Sequence, residues 1–294
     1  MDVIERGAGT PLVLVPGLQG RWEYLRPAIE ALAVHFRILT FSLSGERVSG
    51  RRYDRHKGID NFVEQVDDVL AAHAFDRAVV CGLSFGGLVA LRFAAHRPER
   101  TRALVLASTP GPGWHLKRRH DVYARLPWMF GPLFLAESPW RMRDELRVAF
   151  PNTADRRRFV RSQMATFIEA PLSMSRMAER ARLIARLDTA ADCRAIACPT
   201  LVVTGEPGLD HVIAADRALA YGTLIRNARS LVLEGTGHLG LVTRPSLFAA
   251  TLKGFVDQAL PVERTPAPPA SHPREHGPVR AGATRDPGVV HDAL

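Results

Sequence analysis

Apolar and polar positions along the chain fall into two kinds of repeat, and their order points to the fold. Short, nearly continuous apolar runs occupy residues 11–15, 37–43, 78–81, 103–107, 200–204 and 230–233. Such a run suits a strand covered on both faces, as in a parallel sheet. Helical patterns lie between the runs, at about 24–34, 60–73, 88–96, 214–221 and 245–259, with Asp60 placed to cap the second of them. Strands that alternate with helical stretches of this length predict an α/β fold, a parallel sheet joined by crossover helices.

The alternation breaks between residues 111 and 190. No strand-type run occurs there, and helical patterns are interrupted by Pro127, Pro132, Pro139, Pro151 and Pro171. Large apolar residues are frequent in the same stretch, among them Trp114, Trp128, Phe130 and Trp140. We read 111–190 as a helical lid inserted into a core built from 1–110 and 191–260. From Pro261 the sequence is rich in Pro, Ala, Arg and Gly without apolar periodicity, which predicts a disordered tail over 261–294.

The chemistry starts at Gly82-Leu83-Ser84-Phe85-Gly86, between the apolar run 78–81 and the helical pattern 88–96. A serine hydroxyl is a poor nucleophile unless it is exposed, has a base beside it and has donors waiting for the oxyanion. A sharp strand-to-helix turn supplies the exposure, and its crowding demands residues without side chains two before and two after the serine. Gly82 and Gly86 meet that demand, so Ser84 is the candidate nucleophile, and the backbone N–H of Phe85 is a candidate oxyanion donor.

The candidate base is His238, in Gly235-Thr236-Gly237-His238, directly after the last strand-type run. Loops at the C-terminal ends of parallel strands converge, so distant residues can meet there. The imidazole needs an acid to fix its tautomer. Gly205-Glu206-Pro207-Gly208-Leu209-Asp210 follows the run 200–204, with Asp210 the first choice and Glu206 the reserve; Asp210 could instead cap the next helix. The loop after 103–107 offers no rival, since 101–120 contains neither Asp nor Glu. In Pro16-Gly17-Leu18-Gln19-Gly20, the N–H of Leu18 is the candidate second oxyanion donor, with that of Gln19 behind it. Gln19, Trp114, Trp128 and Phe130 are the expected pocket residues.

Charge changes this picture little. The net charge of +9 comes from a chain in which only Lys57, Lys117 and Lys253 of the 39 basic residues are lysine. Aromatic residues do not alternate with the arginines as a single-strand platform requires, so no nucleic-acid partner is expected. Residues 111–190 hold 15 basic and 8 acidic residues, a surplus we read first as a solvated surface and second as a means of steering an anionic substrate. The three cysteines, Cys81, Cys193 and Cys198, have no metal-ligand spacing. With no signal-peptide pattern at residues 1–6 and no span-length apolar stretch, free thiols in the cytoplasm and no membrane span are expected. No metal and no cofactor are expected.

With the order Ser84, Asp210, His238, the chain resembles the α/β-hydrolase superfamily over about residues 3–260, most closely its small, lid-bearing, cofactor-free members. The resemblance implies a mostly parallel eight-stranded sheet with helices on both faces and a helical cap after the strand at 103–107. Three positions depart from the family pattern. Pro16-Gly17 stands where the family usually has His-Gly, and Ser42 to Ser49 replaces the usual D-x-x-G-x-G-x-S. The usual acid position is Gly208, so Asp210 requires a loop two residues longer. The resemblance implies a serine hydrolase that cleaves an ester-like bond of a small, apolar substrate. C–C bond hydrolysis or a lyase reaction by the same triad is the alternative within the enzymes. A non-catalytic binding or interaction protein is the alternative outside them.

Overall fold

The computed structural model describes residues 2–213 and 215–260. One sheet organises them: β1 (Val3–Arg6), β2 (Thr10–Val15), β3 (Phe36–Phe41), β4 (Ala78–Leu83), β5 (Thr101–Ala107), β6 (Thr200–Thr204) and β7 (Ala228–Val232). Their spatial order is β1-β3-β2-β4-β5-β6-β7. Every neighbouring pair is parallel except β1, which runs antiparallel to β3 with Val3 opposite Phe41. The expected eight strands are therefore corrected to seven among the described residues. The sequence pattern also missed β1, because its four residues are only half-buried and show no continuous apolar run.

Helices cover both faces. Those of the first half are α1 (Arg26–Leu32), α2 (Asp60–Ala72) and α3 (Phe85–His96). After β5 come α4 (Arg118–Arg125), α5 (Pro127–Ala136), α6 (Ser138–Ala149), α7 (Thr153–Glu169), α8 (Met174–Ile184) and α9 (Ala190–Ala195). After β6 come α10 (Ala215–Leu219) and α11 (Tyr221–Leu224), and after β7 come α12 (Gly240–Thr243) and α13 (Pro245–Ala259). No described helix is long and apolar enough to cross a membrane.

The alternation of strand side chains explains why the apolar runs are unbroken. Val13, Val15, Leu39, Phe41 and Val80 pack on one face with Phe62 and Val66 of α2 and Leu88 and Leu91 of α3. Leu12, Leu14, Ile38, Val79 and Cys81 pack on the other with Ile29 and Leu32 of α1 and Phe248 and Leu252 of α13. Each such side chain contributes roughly 1.5–3 kcal/mol by burial. Asp60 does not cap α2 as expected; it lies within the helix, with Ile59 at the cap, and its carboxylate accepts from Arg92 at 2.7 Å. The predicted tail at 261–294 lies outside the described residues.

Candidate active site

β4 sits at the middle of the sheet, between β2 and β5, and ends at Leu83, while α3 starts at Phe85. Ser84 alone makes the turn between them, at φ 54° and ψ −117°. Holding a non-glycine residue there costs on the order of 1–3 kcal/mol, which the packing of β4 and α3 must offset. The glycines follow from that crowding. A Cβ on Gly82 would fall on the Gly86 carbonyl, and one on Gly86 would fall on the carbonyls of Val15 and Pro16. The Ser84 N–H donates to the Ala107 carbonyl at 2.8 Å, tying the turn to β5. Three residues earlier, burial pushes the Cys81 thiol up to about 12, so it is no rival nucleophile.

β4, β6 and β7 all run in the same direction, so the loops that follow them open at one end of the sheet. At that end His238 Nδ1 lies 3.3 Å from Asp210 Oδ2. The other carboxylate oxygen of Asp210 accepts the N–H groups of Val212 and Ile213, each at 2.9 Å. One oxygen thus closes the turn after Asp210, ahead of α10, and the other faces the imidazole. Glu206, the reserve acid, is elsewhere: its carboxylate accepts the Gly235 N–H at 2.6 Å. The two-residue extension of the acid loop does not keep Asp210 from the imidazole.

Both groups are buried. Burial alone would lower the His238 pKa, but the charge and hydrogen bond of Asp210, helped by the charge of Glu145, hold it above the ordinary imidazole value. Burial alone would raise Asp210. The charge and hydrogen bond of His238 and the N–H groups of Ile213 and Val212 outweigh it and hold the carboxyl below its ordinary value.

The loop after β2 lies against the elbow. A Cβ built on Gly17 would stand 3.6 Å from Ser84 Cβ and 3.4 Å from the Gln19 side-chain oxygen. The Gly17 carbonyl accepts the Gly20 N–H at 2.9 Å, and in a trans peptide the Leu18 N–H must then point the opposite way. Leu18 and Gln19 are both half-buried.

The expected aromatic pocket residues part company. Trp114 is half-buried against the same core cluster that takes Leu18. Trp128, an expected pocket residue, is 77% exposed. Phe130 stacks on Tyr123 of α4 with ring centroids 5.3 Å apart, so its contact is within the inserted helices. Large apolar residues in a helical stretch gave no signal that separated those facing the core from those facing water.

Three residues at this end of the sheet escaped the sequence reading. Arg180 of α8 is 2% exposed; it donates to the Leu18 carbonyl at 3.0 Å and to Glu46 Oε1 at 2.6 Å. Glu46 lies in the loop after β3 where the family pattern is absent, so the departure itself was the signal. Glu145 of α6 is buried, and both its oxygens accept the Leu239 N–H at 3.1 Å. Nothing in the sequence around Glu145 distinguishes it from a surface glutamate.

A family model described as alpha/beta hydrolase fold matches residues 10–245. The chain is 28% identical to the 2-hydroxy-6-oxo-2,4-heptadienoate hydrolase of Pseudomonas putida (strain F1), an alignment covering 79% of this chain and 83% of that protein. It is also 28% identical to the 2-hydroxymuconate semialdehyde hydrolase of Pseudomonas sp. (strain CF600), over 87% and 89% of the two chains. Among solved structures, the enol-lactonase from Burkholderia xenovorans LB400 shares the fold with a TM-score of 0.71 at 23% identity, over 87% of this chain and 95% of that one.

Proposed function

The chain belongs to the alpha/beta hydrolase family and is an enzyme, and from that premise we propose that it is a serine hydrolase acting through Ser84, His238 and Asp210. The observation that carries this reading is the His238–Asp210 contact, formed by two loops at the same end of the sheet as the strained Ser84 turn. In it, His238 takes the Ser84 hydroxyl proton as Oγ attacks a substrate carbonyl, and Asp210 steadies the imidazolium. The N–H groups of Leu18 and Phe85 receive the oxyanion. The tetrahedral intermediate expels its leaving group, which takes the proton from His238. Water, deprotonated by His238, then releases the acyl group and restores Ser84.

An ester-like bond of a small, apolar substrate is the first substrate class. C–C bond hydrolysis is the second, and the two relatives favour it. The dienoate named for the first carries hydroxyl, ketone and carboxylate groups but no ester or amide, so its hydrolysis must break a carbon–carbon bond. Residues 111–190 serve as the lid over the core formed by 1–110 and 191–260.

Two measurements test the reading. A fluorophosphonate probe should label the wild type and leave Ser84→Ala unlabelled; equal labelling of both rules out Ser84 as the nucleophile. A panel of esters, thioesters, lactones and 6-oxo-dienoates, assayed on the same pair, then separates the two substrate classes.

A further inference from the structure

Two consecutive residues of α6, Asp144 and Glu145, reach the two loops that hold the acid and the histidine. Glu145 Oε1 and Oε2 accept the Leu239 N–H, Oε1 also accepts the Thr243 hydroxyl at 2.9 Å, and Gly237 packs against the same carboxylate. Gly237 and Leu239 are the residues on either side of His238. A Cβ on Gly237 would stand 2.8 Å from Glu145 Oε2 and 2.5 Å from the Leu209 carbonyl, so α6 and both loops meet there. Asp144 Oδ2 meanwhile lies 3.2 Å from Nε2 of His211, the residue after Asp210.

A buried carboxylate is an expensive way to hold a loop. An apolar side chain of similar size would avoid the desolvation of the charge but would leave the Leu239 N–H and the Thr243 hydroxyl without this acceptor. What an apolar side chain could not do is accept the N–H of the residue after His238 and the Thr243 hydroxyl while packing against the residue before it. We propose that Glu145 is a positioning residue: from the inserted helices it fixes the backbone that flanks His238 and so keeps the ring on Asp210. This rests on the serine-hydrolase reading for its consequence in catalysis, though not for its effect on the ring.

The carboxylate also acts through charge. Burial raises the pKa of Glu145 above the ordinary value, against the pull of the Leu239 and Gly237 N–H groups, the Thr243 hydroxyl and His238, yet its charge still favours the imidazolium. The other groups around the histidine are Asp210 on the ring, Glu206 on the Gly235 N–H and the Arg244 guanidinium packed beside Gly235. The Asp144–His211 pair lies on the other loop. Replacing Glu145 by a neutral residue leaves all of these in place.

The test compares wild type, Glu145→Gln and Thr243→Val by two readouts. Histidine-resolved NMR titration gives the His238 pKa without any need for turnover. The rate of fluorophosphonate labelling as a function of pH reports on Ser84. Glu145→Gln keeps the shape but loses the charge and turns a donor toward N–H groups. The His238 pKa should fall by about half a unit to one unit, moving the acid limb of labelling to lower pH. The labelling rate on the plateau should drop about 10- to 100-fold. Thr243→Val, which keeps the carboxylate and removes one partner, should shift both readouts in the same direction by a few-fold at most. A Glu145→Gln protein with a lower Tm but a wild-type His238 pKa and labelling rate would overturn the proposal, leaving Glu145 a purely structural group. If that variant does not fold, wild-type behaviour of Thr243→Val would overturn it instead. Failure of the wild type to label at Ser84 would sink the serine-hydrolase reading alone, with the NMR titration still deciding the role of Glu145.

Discussion

In the sheet, Leu12, Val13, Val80 and Val105 are fully buried on alternate faces, while in the inserted helices Trp128 and Ile168 are more than three-quarters exposed. Among the described residues, ten of the sixteen exposed large apolar side chains belong to α4–α7 and the turns between them, so the contrast holds for the whole region. The inner strands β2 to β6 are held by two-sided burial, unlike the exposed edge strands β1 and β7, and this is what allows the sheet to maintain the strained backbone of Ser84. The helices between β5 and β6 meet the rest of the molecule through apolar packing of Leu183 and Ile184 and through polar anchors: Tyr24 to the Ala170 carbonyl at 2.8 Å, Arg180 to Glu46, and Glu145 to Leu239. Chemistry placed on the sheet should therefore be nearly all-or-none. Effects in the insertion should be graded by whether the residue is an anchor.

The largest effects belong to the sheet. Ser84→Ala should lower kcat by about 10⁴- to 10⁶-fold with little change in Tm, measured on whichever ester or dienoate proves to be a substrate. Activity within tenfold of wild type would remove the elbow from the chemistry. Asp210→Asn should cost about 10³- to 10⁴-fold, because an amide can neither balance the imidazolium nor select the tautomer. The pH dependence carries a sign as well. The base works as neutral imidazole, so kcat/KM falls as pH drops through the His238 pKa, which the carboxylates hold above its ordinary value. In Asp210→Asn the acid limb should move to lower pH; an unmoved limb would mean that another group titrates.

The next effect lies on the boundary between the two regions. Arg180 and Glu46 are both nearly inaccessible, their side chains 2% and 4% exposed. Removing one partner of such a pair leaves an uncompensated buried charge, so Arg180→Ala should destabilise by about 3–5 kcal/mol in urea unfolding. The double variant Arg180→Met, Glu46→Leu should recover most of that loss, since no buried charge remains unpaired. Recovery of stability without recovery of kcat would mean that the guanidinium's bond to the Leu18 carbonyl, and not the ion pair as such, holds the loop after β2.

The same contrast explains what was legible in the sequence. Strands buried on both faces leave continuous apolar runs, and Gly82 and Gly86 are forced by an approach that admits no side chain; both are readable without coordinates. His238 and Asp210 could be read because topology sends the loops after β6 and β7 to the end where β4 stops. β1 was missed because a half-exposed edge strand of four residues has no such run. Arg180 and Glu145 were missed for a different reason. An anchor is defined by its partner, and the partners of both are backbone groups or side chains more than ninety residues away in the chain. The exposure of Trp128 was hidden by the same blindness, since apolar character alone does not say which way a helix is turned.

Trp128 gives the smallest expected effect and the sharpest test of the contrast. As a large, exposed side chain in α5, it makes no contribution to burial that a polar residue would lose, and exposed substitutions usually change stability by less than about 0.5 kcal/mol. Trp128→Ser should accordingly leave Tm, kcat and kcat/KM at wild-type values, while Phe130→Ser should lower Tm by breaking the stack on Tyr123. A tenfold loss of kcat/KM in Trp128→Ser at unchanged Tm would show that the tryptophan meets substrate despite its exposed position. The insertion would then have to close over the sheet by releasing the polar anchors, and adding Glu145→Gln to Trp128→Ser should change the loss. Were the two effects simply to multiply, the anchors and the tryptophan would be independent, and the insertion would act as a fixed wall.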